Sequence, residues 1–199
     1  MGSYSPAPIV TPQVLDTIIT QVIEPTVRGM YQEGIPFKGV LYAGLMLTQE
    51  GPFVLEFNTR FGDPETQSIL PRLKSDLVEI MMAACDGRLN ELKVQWDPRP
   101  CVCVVITSGG YPGRYKNGFE ITGLSEVSDE DAIVFHAGTK NDGGTIVTAG
   151  GRVLGVTSLG NNLETSIRKA YEAVDKVHFD HMFFRRDIGQ KALNSKVGA

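Results

Sequence analysis

Only three of the 199 residues are cysteine (Cys85, Cys101 and Cys103), and their spacing suits neither a disulfide framework nor a structural zinc site. Cys101 and Cys103 share one face of an apolar run, so buried, inert thiols are the expectation for both. The histidines, His136, His178 and His181, fall at no metal-binding or catalytic spacing, and each reads as structural. There is no leader pattern and no long apolar span, so nothing calls for export or membrane insertion, and the cytoplasm is the default location. A dinucleotide Gly-x-Gly-x-x-Gly fingerprint is absent. The loop Ser108 to Arg114 lacks the Lys-Ser/Thr pair of a phosphate-binding P-loop and reads as a tight turn, with a substrate contact as the alternative. Basic charge is scarce too. The 19 Lys and Arg against 23 Asp and Glu leave a formal net charge of −4, which argues against a broad nucleic-acid face. A local positive patch for a phosphorylated small molecule is still compatible with that balance.

What is present is the composition of a soluble globular chain, 42% hydrophobic and 21% charged, long enough for one or two domains. Met1 to Pro8 has no periodicity and reads as an extended loop shaped by Pro6 and Pro8. Thr11 is set to cap a helix with Pro12 at its first position. Val14, Ile18, Val22 and Ile23 form the apolar face of that helix, Pro25 interrupts it and Gly34 ends it. Gly39 to Thr48 and the run from Phe53 suit an antiparallel hairpin turning at Gln49-Glu50-Gly51-Pro52. A short helix over 64–73 and a second from Asp76 to Cys85, capped by Ser75 and closed by Asp86-Gly87, follow.

Pro98 and Pro100 mark a linker, so two domains are expected, 1–97 and 98–199. In the second, strands fit Cys101 to Thr107, 132–137, 144–149 and 152–159, and a helix fits Leu163 to Val177. The tail is expected to fray after Ala192. The fold class is α+β.

One stretch looks built for chemistry. The β-prone run Phe53 to Phe57 ends in a dense polar group, Asn58 to Gln67. Glu56 and Asn58 are two apart, so on a strand they project from one face and offer hard oxygen ligands that suit Mg²⁺ better than Zn²⁺. Arg60, on the same parity, can meet phosphate or carboxylate oxygens in bidentate fashion. Gly62 and Pro64 then turn the chain, with Asp63 and Glu65 close by. A strand end with a solvated polar turn is the plain alternative.

Glu56-Phe57-Asn58-Thr59-Arg60-Phe61-Gly62-Asp63-Pro64-Glu65-Thr66-Gln67 resembles the signature of the phosphoribosylamine–glycine ligase (glycinamide ribonucleotide synthetase) family, ATP-grasp enzymes of purine biosynthesis. Met1 to Pro8, Leu41 to Met46, Ala83 to Gly87, Ser108 to Gly113 and Phe135 to Thr139 resemble the same family in the same order. The resemblance implies that residues 1–97 are the C-terminal portion of an ATP-grasp domain, an antiparallel sheet with helices. Residues 98–199 would then be a small β-rich C-terminal domain with a helix.

The resemblance also implies roles. Glu56 and Asn58 match the family's metal positions, holding Mg²⁺ (or Mn²⁺) against the phosphates of ATP. Arg60, Asp63 and Glu65 match catalytic positions, Arg60 toward a phosphate or acyl phosphate and the acids toward the amine or toward Arg60 itself. Ser5, Pro6 and Ala7 match a loop near the substrate site, to which Pro64 also belongs. Leu55 is a candidate for the adenine pocket, although an alternating core strand calls for leucine there anyway. Many ATP-grasp enzymes carry one more acidic ligand twelve positions before the Glu of the Glu-x-Asn pair. Here that position is Gly44, which fits the glycinamide ribonucleotide synthetase branch.

The implied reaction joins glycine to 5-phosphoribosylamine through glycyl phosphate. The family encloses ATP with an N-terminal portion and a lid that have no counterpart in this sequence, so the chain is expected to be inactive without them. A non-catalytic interaction or scaffold module and an ATP-grasp ligase for another amine are the alternatives. Neither nucleic acid nor membrane is expected as a partner.

Overall fold

In the computed structural model, which describes residues 1–194, the chain runs through β1 (Gly2–Ser5), α1 (Pro12–Ile18), α2 (Glu24–Gln32), β2 (Tyr42–Thr48), β3 (Gly51–Asn58), α3 (Glu65–Ile69) and α4 (Leu77–Asp86). It continues through β4 (Cys101–Ser108), β5 (Ile133–His136), β6 (Thr139–Asp142), β7 (Thr145–Thr148), β8 (Arg152–Leu159), α5 (Leu163–Val174), β9 (Met182–Phe183) and α6 (Gln190–Asn194). Every strand pairing is antiparallel, and helices and sheets are mixed as an α+β chain requires. Two units separate among the described residues: 1–7, 63–72 and 98–194 in one, 8–62 and 73–97 in the other. Residues 97 and 98 fall in different units, and residues 1–7 and 63–72 belong to the unit that contains residue 98.

The first unit is organised on β4. All eight of its residues are buried, so the strand needs an unbroken apolar run rather than an alternating one. The sheet order is β1-β4-β8-β5, with β9 also pairing on β4. Val102, Val104 and Ile106 join Ile167, Ala170 and Val174 of α5 and Phe179 in one core cluster. Ile167, Ala170 and Val174 recur at helical spacing on α5, whose Asn162 cap accepts from Thr165 N at 2.8 Å. Cys103 points to the other face, where its sulfur and Gln67 of α3 flank Gly155. α3 packs there on β1 and β4.

Met1 to Pro8 is not the loop expected from sequence. Gly2 to Ser5 pairs with Val104 to Cys101, and four residues are too few to carry a periodic signal when the partner lies about a hundred positions away. The strand over 139–142 was also not expected. It forms a hairpin with β7 because Gly143-Gly144 supplies two positive φ values (62° and 98°) at the turn.

Burial pushes the Cys101 thiol up to about 12 and the Cys103 thiol to about 11, from an ordinary value of 9.0. Both must ionise on unfolding at high pH, so the stability they contribute is complete below pH 9.0 and is lost as pH rises toward those values. The expected result is a urea midpoint that falls between about pH 8 and pH 10.5, less steeply in a Cys101→Val/Cys103→Val chain. Near neutral pH a thiol reagent should reach exposed Cys85 in the native chain and all three thiols only after unfolding.

In the second unit Thr11 caps α1, its hydroxyl accepting from Val14 N at 3.3 Å, and Pro12 sits in the first turn. The interruption expected at Pro25 takes the form of a π-helical turn over Ile19–Ile23, directly before α2, in whose first turn Pro25 lies. β2 and β3 form the hairpin, turning at Gln49-Glu50. Among the described hydrophobic residues of this unit only Val22 and Ala83 are buried.

The cap of α4 corrects the sequence reading. Asp76, not Ser75, accepts from Val78 N (2.7 Å) and Glu79 N (3.2 Å), while Ser75 Oγ accepts from Gln95 N at 2.8 Å. A carboxylate at this position satisfies two orphan N–H groups and meets the positive end of the helix. Asp76→Ala is therefore expected to cost about 1 kcal/mol in urea unfolding, and Asp76→Asn much less. Residues 195–199, to which part of the expected fraying belongs, lie outside the described residues; Ala192 itself is within α6.

Candidate active site

The hairpin of the second unit fixes the geometry of Glu56 and Asn58. In the register Tyr42 faces Asn58 and Gly44 faces Glu56. Both side chains leave one face of β3, and Asn58 Nδ2 donates to Glu56 Oε1 at 3.0 Å. That bond fixes the amide orientation. Glu56 Oε2 and Asn58 Oδ1 then stay open as hard acceptors on the same side, half of the set that a small divalent cation needs. Among the described residues no group of three or more His, Cys, Asp and Glu side chains gathers to hold a metal. One carboxylate and one amide bind weakly alone and suit a cation that arrives with phosphate oxygens. Gly44 sits directly across the ladder, where a Cβ would lie 3.2 Å from Glu56 Cγ. The position that could carry another acid is thus adjacent to the pair and empty of side chain.

Past Gly44 the register shifts, leaving Leu55 without a partner on β2. A bulge of this kind re-aims the side chains beside it. Leu55 is 64% exposed, so it is not the alternating core residue that the sequence allowed. Arg60 is exposed beyond the strand end, with its guanidinium donating to the Phe61 carbonyl at 3.0 Å.

Ser5, Pro6, Asp63, Pro64 and Glu65 belong to the first unit. Ser3 on β1 draws two of these segments together, its hydroxyl oxygen lying 2.8 Å from the Pro64 carbonyl oxygen and 2.9 Å from Ser68 Oγ, within reach of its single proton. Arg72 donates to Ser5 Oγ. Ser5-Pro6 and Asp63-Pro64 are both cis, Pro64 is buried and Pro6 is exposed.

The Asp63 carboxylate is held from two sides. Gln67 Nε2 donates to Oδ1 at 2.9 Å. The guanidinium of Arg152 donates to Oδ2 at 2.8 Å and to the Asp63 carbonyl at 2.7 Å. Arg152 Nε also donates to Tyr111 Oη at 3.1 Å; this bond first, then the Asp63 carboxylate, keeps the guanidinium above its ordinary pKa against partial desolvation. Asp63 is therefore an oriented acceptor with a fixed cation behind it.

Sequence reasoning missed Arg152 and Tyr111. The available signal was a charged residue opening an apolar strand directly after Gly150-Gly151. A Cβ at Gly151 would fall 2.1 Å from the Tyr111 ring, so glycine there makes room for the ring that Arg152 uses.

Comparison with known proteins matches this chain to two family profiles. The first is "Phosphoribosylglycinamide synthetase, ATP-grasp (A) domain", over residues 1–66. The second is "Phosphoribosylglycinamide synthetase, C domain", over residues 101–191. A phosphoribosylamine–glycine ligase of Allochromatium vinosum is 54% identical over 194 residues, which is 97% of this chain and 45% of that protein. A solved phosphoribosylamine–glycine ligase structure from Thermotoga maritima superposes with a TM-score of 0.82 at 35% identity, covering 94% of this chain and 46% of its own. The biotin carboxylase domain of a Hydrogenobacter thermophilus 2-oxoglutarate carboxylase, solved with MgADP, ADP and bicarbonate, shares the fold at a TM-score of 0.66 and 13% identity. It covers 92% of this chain and 40% of its own. The chain spans a little under half the length of curated ligases that it matches.

Proposed function

This chain belongs to the phosphoribosylglycinamide synthetase family, and we propose that it supplies the metal-holding strand end and the amine side of an ATP-dependent ligase joining glycine to 5-phosphoribosylamine. The observation that carries the reading is the Glu56–Asn58 pair, fixed on one face of β3 by its 3.0 Å hydrogen bond. Glu56 and Asn58 would hold Mg²⁺, with Mn²⁺ as a substitute. When bound, the cation neutralises phosphate charge that would otherwise repel an incoming carboxylate.

Arg60 presents a guanidinium to the oxygens of the transferred phosphoryl group and of the acyl phosphate. Leu55, exposed at the bulge, offers an apolar surface to the adenine. Asp63, held by Gln67 and Arg152, accepts an N–H of the amine substrate and points its nucleophilic lone pair toward the acyl carbon. Glu65 serves the same amine, and the Ser5-Pro6 loop and Pro64 wall the substrate. The overall change is attack of the glycine carboxylate on the γ-phosphate of ATP, then displacement of phosphate by the amine to give glycinamide ribonucleotide, ADP and phosphate. The work belongs in the cytoplasm, where ATP and both substrates are available.

The test is ADP formation that requires both glycine and phosphoribosylamine. The expected result is no turnover by the chain alone and turnover when the remainder of the family's length is supplied as a second polypeptide. Stoichiometric assembly without turnover would overturn the enzyme reading in favour of a scaffold. Turnover with a different amine would change the substrate.

A further inference from the structure

A cavity of about 360 Å³ in the first unit is lined by Gly109, Arg114, Tyr115, Lys116, Phe119 and His181. We infer that it is a binding site for a phosphomonoester carried on a small sugar. Resting on the function proposed above, its ligand is the phosphoribosyl end of the amine substrate.

Charge makes the first case. Arg88, Lys140, Arg152, Arg168, Lys169 and Arg185 each pair with a carboxylate. Arg114 and Lys116 have no carboxylate partner among the described residues, and no acid lines the cavity. In a chain of net charge −4, two unneutralised cations two residues apart on the rim of one cavity call for an anion from outside. A guanidinium and an ammonium together match a dianionic phosphate, the first as a planar fork and the second as a point charge.

Shape makes the second. The His181 ring meets Phe119 edge-on at 5.3 Å, and together with Tyr115 these rings give the cavity an apolar wall suited to a sugar ring. Its volume lies at the small end of ligand sites, right for a sugar phosphate and tight for a nucleoside triphosphate.

The loop bearing the cations is held in place before any ligand arrives. Ser108 Oγ donates to the Gly150 carbonyl at 2.8 Å, Tyr111 N to the Ser108 carbonyl at 3.1 Å, and Gly113 N to the Gly110 carbonyl at 2.7 Å. Gly109 lets the loop close against the chain at His181, whose carbonyl would lie 2.6 Å from a Cβ. The cavity is also tied to the signature. The Tyr115 ring is 6.1 Å from that of Tyr111, and Tyr111 accepts from Arg152, which holds Asp63. A ligand anchored by its phosphate thus lies against the same run of side chains that orients the Asp63 carboxylate.

The experiment titrates the whole chain with ribose 5-phosphate up to about 10 mM, following backbone amide resonances, with ribose and inorganic phosphate as separate arms. The expected result is that ribose 5-phosphate shifts the amides of residues 109–119 and His181, inorganic phosphate does so more weakly, and ribose does not. Arg114→Gln and Lys116→Gln, both at exposed positions, should each weaken binding at least about tenfold with an unchanged thermal midpoint. Lys140→Gln should bind as the parent does. No shift with ribose 5-phosphate, or shifts that survive both cation variants, would overturn the site. Equal binding of inorganic phosphate would overturn its sugar specificity. Because this readout needs no turnover, a failed reconstitution with intact sugar-phosphate binding would sink the ligase reading alone, and the converse result would sink the pocket alone.

Discussion

Glu56→Gln should reduce turnover of the reconstituted ligase by at least about 100-fold while leaving the fold intact. The substitution keeps size and hydrogen-bonding reach, so the contact with Asn58 Nδ2 survives through the amide oxygen. What disappears is the one negative charge of the pair. Glu56 is exposed on a two-stranded hairpin, so no buried partner is orphaned, and the thermal midpoint should hold. The discriminating measurement is the paramagnetic relaxation of water by Mn²⁺ with ADP present. The parent chain should bind the metal–nucleotide pair more tightly than the variant. Asn58→Asp should act in the opposite sense on metal affinity, since it adds a charge to the same face. If Glu56→Gln left both metal binding and turnover unchanged, the pair would be the plain polar end of a strand.

The largest stability effect is expected at Phe179. It is 1% exposed and packs in the core shared by β4, β8 and α5. Truncation to alanine should cost about 3–5 kcal/mol, the transfer term of an aromatic ring plus the cavity left behind. That is a large share of the roughly 5–15 kcal/mol by which a domain is usually stable. Urea unfolding followed by far-UV circular dichroism measures it. Phe183→Ala is the control, because that ring is 59% exposed and its loss should cost under about 1 kcal/mol. Similar costs at the two positions would mean that Phe179 is not part of the cooperative core.

The parts of this molecule that could be read from sequence are those written locally. Thr11-Pro12, the run Cys101 to Thr107 and the face of α5 each declare themselves within a few residues, and each forms as read, the strand extending one residue further to Ser108. The spacing of Glu56 and Asn58 gave a shared face because a strand repeats every two residues. The misses are longer in range. β1 depends on a partner about a hundred positions away, and Asp63 meets Arg152 across 89 positions. The register shift at Gly44/Leu45 also has no local marker, because it is settled by pairing with the opposite strand, and it moved Leu55 out of the alternation assumed for it. Ser75 and Asp76 are equally good caps by residue type. Gln95, twenty positions on from Ser75, decides between them by engaging the serine hydroxyl.

The pairing of Gly2 to Ser5 with Val104 to Cys101 also bears on how the chain is made. Synthesis proceeds at about 5–20 residues per second, so residues 2–5 leave the ribosome roughly 5–20 s before the strand they join. Residues 63–72 wait as well, since α3 packs on β1 and β4. The hairpin of β2 and β3, by contrast, can close as soon as Asn58 has emerged. The strand end that bears Glu56 and Asn58 can thus assemble early and locally, whereas the fixing of Asp63 awaits Arg152, 89 positions later. Slow decoding between residues 60 and 100 would lengthen the exposure of the β1 segment without touching the native state, so yield rather than activity is where codon choice in this region should register.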